Sequence, residues 1–275
     1  MSDGSGVLPQ GVKFFLDGVE IEALPGETIW RAAQRHKTEL PHLCYAPEPG
    51  YRPDGNCRAC MVEIEGERAL AASCIRVPTA GMKVLSASER AAANRKLVFE
   101  LLVADQPPRA AAHDPDSKFW QQATKLGVAS SRFPARHQPA PDRSHPAMAV
   151  HLDACIQCTL CVRACREVQV NDVIGMAARG HNEKIVFDFD DPMGNSTCVA
   201  CGECVQACPT GALLPATMVD ARGAAQPKPD RSVDSVCPYC GVGCQITYQI
   251  RDDKIVSVKG RNGPSNEQRL CVKGR

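Results

Sequence analysis

The chain has 275 residues, with 32 Lys and Arg against 31 Asp and Glu, so its net charge of +1 gives no basis for nucleic acid or an anionic membrane surface as the main partner. Aromatic residues make up 5% and hydrophobic residues 44%, which argues against one large core; the length suits two or three small domains. The start of the chain has no basic stretch followed by an apolar run and no twin-arginine signal. Its most apolar stretch, 97–104, is short and interrupted by Glu100, so a soluble, cytoplasmic protein with no membrane span is expected. In that reducing compartment the sixteen cysteines point to metal ligation or redox chemistry rather than disulfides.

Residues 1–10, rich in Ser and Gly without periodicity, are expected to be disordered. Residues 12–15 and 19–24 read as strands joined at Asp17-Gly18, a pair favoured in hairpin turns. Within 27–36, Ile29, Ala32 and Ala33 recur at helical spacing, with Glu27 at the start and Arg35, His36 and Lys37 at the end, as the helix dipole favours. A cysteine loop follows, then an alternating strand at 61–64, a turn at Glu65-Gly66 and a last strand near 82–85. Hairpin, helix, cysteine loop and two further strands make a β-grasp ferredoxin domain over 11–87, in which Cys44, Cys57, Cys60 and Cys74 would hold a 2Fe-2S cluster. Their spacing is not the plant type. A zinc loop in a small mixed domain is the alternative, because C-x2-C is common in zinc sites.

Residues 88–146 read as a helix and linker. The helix covers 88–103, capped by Ser86 or Ser88, with Ala92, Leu97, Val98, Leu101 and Leu102 expected to face the neighbouring domain. The rest is rich in Pro, Ala and His, with Phe119, Trp120 and Phe133 as its few apolar anchors. One short helix at 117–126 is expected to pack on the surface of its neighbours. His113, with no cysteine near it, reads as a loop or surface residue.

The most specific signal is C-x2-C-x2-C-x3-C, which occurs twice, 43 residues apart, the second copy ending Cys208-Pro209. Three closely spaced thiolates can wrap one cubane, and in two-cluster ferredoxins the fourth cysteine of each run serves the other cluster. Cys155, Cys158, Cys161 and Cys208 therefore form one expected 4Fe-4S set, and Cys198, Cys201, Cys204 and Cys165 its twin, within a domain at 147–216. Zinc more often takes two separated pairs. After a second linker at 217–232, Cys237, Cys240, Cys244 and Cys271 lie in a segment with strand-like stretches at 245–251 and 254–259. Alone this set could pass for a zinc ribbon; three iron-sulfur-type sets in the same chain favour a third 4Fe-4S cluster.

These residues resemble a known family. Residues 11–104, above all DGNCRACMVEIEG, resemble the 2Fe-2S domain of the large iron-sulfur subunit of respiratory complex I and of related formate dehydrogenases and hydrogenases. HLDACIQCTLCVRACREVQVNDVIGMA and FDFDDPMGNSTCVACGECVQACPTGAL resemble the two-cluster ferredoxin insert of the alpha subunit of NAD-dependent formate dehydrogenase. SVCPYCGVGCQI and RLCVKGR resemble the start of the molybdopterin oxidoreductase family, where a 4Fe-4S cluster lies beside a bis-molybdopterin-guanine-dinucleotide cofactor. The implied fold class is α+β: a β-grasp 2Fe-2S domain, a two-cluster 4Fe-4S bacterial ferredoxin domain, and, over 233–275, an incomplete molybdopterin-oxidoreductase 4Fe-4S domain.

The resemblance implies that Lys273, two residues after Cys271, is an electron conduit to the pterin; it is an ordinary solvated lysine if no pterin domain follows. The complex I protein carries a further cluster on H-x3-C-x2-C-x5-C, which is absent because no cysteine lies between Cys74 and Cys155. His151, four residues before Cys155, has the wrong following spacing and reads as part of the strand entering the cluster loop. The domain that would hold molybdenum or tungsten is not in these residues, so no catalytic residue is expected here and a fragment of a longer alpha subunit is favoured. No nucleophile constellation, phosphate loop or paired carboxylates stand out, which leaves outer-sphere electron transfer. The implied role is to carry electrons from formate oxidation to a flavin subunit that reduces NAD. The implied partners are a flavin- and NAD-binding iron-sulfur subunit, a small 2Fe-2S subunit and a molybdopterin domain. The alternatives are the small diaphorase subunit of an NAD-reducing hydrogenase, a complex I large iron-sulfur subunit and, in another class, a zinc-stabilised interaction protein.

Overall fold

The computed structural model describes residues 11–135 and 138–275, so the disorder expected of residues 1–10 lies outside the described residues. Strands β1 (Val12–Leu16) and β2 (Val19–Ala23) form the expected hairpin, with Asp17 and Gly18 both at positive φ, as a tight two-residue turn requires. Helix α1 (Ile29–Arg35) starts two residues later than Glu27, because the Thr28 hydroxyl caps it by accepting from Arg31 N. Glu27 instead accepts from Leu24 N at 2.8 Å and pairs with Arg35 at 2.7 Å, holding the approach to the helix.

Strands β3 (Met61–Ile64), β4 (Ala71–Ala72) and β5 (Lys83–Leu85) complete a five-stranded sheet ordered β2-β1-β5-β3-β4. The β1–β5 pair is parallel and the others antiparallel, which is a β-grasp sheet closed over α1. Its core packs Phe14, Ile29, Trp30, Val62 and Val84, together with Cys60 and Cys74.

Helix α2 (Glu89–Ala104) is capped by Ser88, but its buried face is Ala91, Arg95, Phe99 and Val103. The expected face is corrected: Leu97 and Leu101 are exposed, because the four-residue rhythm of 91, 95, 99 and 103 is what meets the rest of the fold. Arg95 is accommodated by donating to the Ser86 and Met61 carbonyls. Helix α3 (Lys118–Lys125) is also not a surface helix. Phe119, Trp120 and Ala123 are buried in a second core with Leu43, Ala59, Phe99 and Val103, so the Pro-rich stretch carries anchors for the cysteine loop next to it. Gln121, Thr124 and Lys125 line the outer face, which is why composition made it look like a tether.

The next domain pairs β6 (Met148–Val150) with β9 (Leu213–Pro215), and β7 (Ile174–Ala177) with β8 (Lys184–Phe187). Helices α4 (Leu160–Arg163), prolonged by a π-helical turn to Val168, and α5 (Glu203–Ala207) pack between them. The stretch 217–232 is only partly a tether, since Val219 is buried against Ala149 and Leu214. A three-stranded meander ends the chain: β10 (Arg231–Val236), β11 (Gln245–Arg251) and β12 (Lys254–Gly260). No helix among the described residues is long and apolar enough to cross a membrane.

Replacing Trp120 by Ala is expected to lower unfolding stability by about 3–5 kcal/mol, whereas Leu101→Ala should stay within about 0.5 kcal/mol of the parent. Urea denaturation of the iron-loaded chain, followed by tryptophan fluorescence for Leu101→Ala and circular dichroism for both, checks the contrast. Equal effects would show that α3 is not a core element.

Candidate functional site

The first cysteine set is built by the long loop between α1 and β3 and by the turn after β4. Cys44, Cys60 and Cys74 are buried and Cys57 is half-buried. The loop reverses through Gly55 and Arg58, both at positive φ, and a Cβ on Gly55 would meet Ile75 at 2.9 Å. Cys44 contacts Cys57 and Cys74, and Cys60 contacts Cys74. Neighbouring thiols hold Cys44 well below the usual thiol range and push Cys57 and Cys74 well above it. Four sulfurs this close are poor company as free thiols and good ligands for shared cations.

The second and third sets repeat one backbone device. Gln157 and Thr159 sit at φ 51 and 61, and 43 residues on Ala200 and Gly202 sit at φ 56 and 78, so each run winds through alternate left-handed residues. Each non-glycine in that region costs about 1–3 kcal/mol, a strain accepted where the loop must curl its sulfurs to one point. Gln157 N donates to Cys155 Sγ at 3.4 Å and Ala200 N to Cys198 Sγ at 3.4 Å. Leu213 N donates to Cys208 Sγ at 3.4 Å and Val173 N to Cys165 Sγ at 3.3 Å.

The structure brings Cys155, Cys158, Cys161 and Cys208 around one enclosed cavity, walled further by Ile185 and Leu213. It brings Cys165, Cys198, Cys201 and Cys204 around another, walled by Met148, Val173 and Ile174. The fourth cysteine of each run thus lies with the other run's three. Burial pushes the Cys158, Cys161 and Cys204 thiols up, so as free groups they would stay protonated; coordination to iron would reverse this.

The fourth set is different in kind. Cys237, Cys240 and Cys244 occupy the loop between β10 and β11, closed by Cys237 N donating to the Cys244 carbonyl at 2.8 Å, and Cys271 follows β12. Cys240 and Cys271 are exposed, and Lys273 is exposed beside them. Slight burial and the charges of Cys237, Cys240 and Cys271 all act on Cys244 and raise it, so those three lie near Cys244.

Two cations lie between the first and second sets, and local sequence gave no sign of either because their partners are more than a hundred residues away or on another element. Arg163, with its side chain 3% exposed, donates from one nitrogen to the Cys44 carbonyl at 2.6 Å and the Cys158 carbonyl at 3.2 Å. It also bonds the Arg52 carbonyl and pairs with Asp54 at 3.0 Å. Lys118 is half-buried near Cys57, Cys158 and Cys44, and this burial pushes its ammonium down to about 8. Near the third set, Gln206 clamps Leu270 by donating to its carbonyl at 3.1 Å and accepting from its N–H at 2.8 Å. The buried Glu203 accepts from Tyr51 Oη at 2.9 Å and pairs with Arg269 at 3.3 Å, tying three segments together. Cys201, Cys244 and Cys271 line one shared cleft between the third and fourth sets.

Comparison with known proteins finds three family matches along the chain. Residues 10–89 match the 2Fe-2S iron-sulfur cluster binding domain, 154–212 the 4Fe-4S dicluster domain and 230–275 the molybdopterin oxidoreductase Fe4S4 domain. The chain is 32% identical over 271 residues to an NADH-quinone oxidoreductase subunit of Rhizobium meliloti, covering 96% of this chain and 31% of that protein. It is 31% identical to the NADPH-Fe(3+) oxidoreductase subunit alpha of Geobacter sulfurreducens, with 96% and 31% covered. It is 26% identical to a Staphylococcus haemolyticus protein whose provisional name is formate dehydrogenase, with 94% and 30% covered. The chain therefore spans about a third of the length of these relatives. A chain in the crystal structure of an NAD+-reducing [NiFe]-hydrogenase superposes with a TM-score of 0.68 at 30% identity, covering 74% of this chain and 87% of that one.

Exchanging the fourth ligand of each run separates the two sets. Cys208→Ser is expected to perturb the cluster held by Cys155, Cys158 and Cys161 and leave its twin intact, while Cys165→Ser does the reverse. Electron paramagnetic resonance of the reduced variants checks this. Loss of the cluster belonging to the variant's own run would overturn the crossed assignment.

Proposed function

We propose a function that proceeds from kinship: the chain belongs to the N-terminal iron-sulfur region of the molybdopterin oxidoreductase family. It is the electron-transfer part of an oxidoreductase subunit. Our finer reading is an NAD-dependent formate dehydrogenase alpha subunit, in which this region connects a molybdenum or tungsten bis-molybdopterin-guanine-dinucleotide centre to a flavin subunit that reduces NAD. The observation that carries the electron-transfer role is the gathering of the cysteines into successive sets of four, two of them around enclosed cavities.

One 2Fe-2S cluster on Cys44, Cys57, Cys60 and Cys74 and three 4Fe-4S clusters on the other sets would supply one-electron carriers. The chain's own residues do the rest. Ile185, Leu213, Met148 and Ile174 exclude water from the second and third sets, and the N–H donors to Cys155, Cys165, Cys198 and Cys208 stabilise charge on sulfur. Arg163 and Lys118 place positive charge between the first two sets, and the Gln206 clamp on Leu270 holds the third beside the fourth. Contacts thus support the order fourth, third, second, first set, with Lys273 at the pterin end by resemblance.

A second reading, a complex I large iron-sulfur subunit, is favoured by the identity to the NADH-quinone oxidoreductase relative, which exceeds that to the formate-named one. The missing H-x3-C-x2-C-x5-C motif argues against it.

The reading predicts about fourteen irons per chain after anaerobic reconstitution; a reproducible value near ten would mean that the exposed fourth set does not form alone. The native assembly, captured by antibody to this region, is expected to contain molybdenum or tungsten and to reduce NAD with formate. NADH-driven quinone reduction in an assembly free of both metals would overturn the formate reading and leave electron transfer standing.

A further inference from the structure

Between the second cysteine set and the turn at 220–224 lie two stacked imidazoles that the proposed relay does not use. The His113 and His151 rings are parallel within 15°, with centroids 3.9 Å apart. His151 is 1% exposed, and neither of its ring nitrogens has a hydrogen-bond partner. A neutral imidazole carries one N–H donor and one lone pair, and leaving such a group unsatisfied in the interior costs about 1–3 kcal/mol. His113, read from sequence as a loop or surface residue, does lie in a loop, but its side chain is only 12% exposed.

His113 Nδ1 lies 2.5 Å from the Gly223 carbonyl oxygen and must donate to it. In the neutral ring this turns the Nε2 lone pair towards Asp153, both of whose carboxylate oxygens are 3.0 Å away. Two acceptors facing each other need a proton or a cation between them. An N–H anchored on a backbone carbonyl, with the opposite nitrogen free, is the arrangement that orients metal-binding histidines. One ligand atom from each of His113, His151 and Asp153 lies within 4.8 Å of the other two. Gly223, at φ +84, closes the turn over both rings: a Cβ there would stand 2.8 Å from His151 Cε1 and 3.4 Å from His113 Nδ1.

We propose that His113, His151 and Asp153 bind a divalent cation of the zinc class, with water completing the coordination and the His151 ring turning out of the stack, since the lone pairs of two parallel rings cannot meet at one ion. Two imidazoles and one carboxylate suit borderline zinc better than magnesium or calcium, which prefer oxygen. A proton on His113 would satisfy Asp153 equally well, but it leaves His151 without a partner, whereas a cation engages all three groups. Arg143, held by the Asp220 and Ala221 carbonyls beside the turn, adds positive charge that weakens the site without filling it. The bound ion would join two segments that meet just before Cys155, the stretch ahead of α3 and the entry to the cluster loop, and His113 already ties the turn after β9 to them.

The test uses the iron-loaded chain, equilibrated with Zn2+ alone and passed through gel filtration. Zinc X-ray absorption of the parent is expected to show nitrogen and oxygen ligands with imidazole scattering and no sulfur shell. Metal analysis is expected to find one zinc per chain, with retention falling about tenfold or more in His151→Ala and Asp153→Asn while iron content is unchanged. No retained zinc, a sulfur shell, or imidazole-bound zinc that persists in both variants would overturn the proposal. Should a variant lose iron as well, the ligand shell of the parent decides alone, and the cysteine assignment is judged separately by iron content.

Discussion

Burying thiols in this density is the constraint on which the rest of the structure depends. A thiol in an apolar surrounding resists ionisation, and thiolates brought together repel one another. Burial pushes Cys158, Cys161 and Cys204 up, and neighbouring sulfurs push Cys57 and Cys74 up. Cations shared by the sulfurs turn both penalties into attraction, so metal loading and the folding of these loops are one equilibrium. The left-handed residues Gln157, Thr159 and Ala200 fit this account, since strain at those positions is compensated only when the sulfurs they aim are engaged.

The same logic explains what holds the modules together. Beside the apolar contacts that Cys44 and Tyr51 make with the two-cluster domain, a few buried polar pins fix the modules at the cysteine loops: Arg163 on two cysteine carbonyls, Glu203 between Tyr51 and Arg269, and Gln206 on Leu270. Removing one partner of the buried Glu203–Arg269 pair is expected to cost about 3–5 kcal/mol, more than a surface ion pair could account for. A guanidinium also cannot lose its proton, so Arg163 holds a fixed positive charge between two sites that would carry negative charge. Lys118 can respond: burial brings it to about 8, which makes its charge sensitive to what lies beside it.

Much of this was legible because cysteine spacing is a strong code. The doubled ferredoxin run led to the grouping of Cys208 with the first run and Cys165 with the second, the groups that line the two cavities, and Asp17-Gly18 and the alternation at 61–64 located the hairpin and β3. What escaped was long-range. The outer face of α2 was read as its inner face because Leu97 and Leu101 outweigh Ala91 and Arg95 in hydrophobicity, although the latter pack against the neighbouring strand and carbonyls. Helix α3 looked like part of a tether because Pro and Ala surround it, yet Phe119 and Trp120 supply the core under the first cysteine loop. Short pairs such as β6–β9 are defined by partners sixty or more residues apart, which no local pattern records.

Core and cofactor sites are the same material in most of the chain. The largest apolar cluster includes Cys44, Cys158, Cys161, Cys165 and Cys204 beside Met148, Ile174 and Leu213, so any change that loosens packing there also changes the dielectric around the sulfurs. The fourth set stands apart. Cys240 and Cys271 are exposed, and Val236, Tyr239 and Val242 around that loop are more than half exposed. Solvent exposure and hydrogen bonds to sulfur set the potential of an iron-sulfur centre. The three inner sets carry their own shielding, whereas the fourth takes its surroundings from whatever covers that loop. Its potential is therefore the one most open to adjustment by a neighbouring surface.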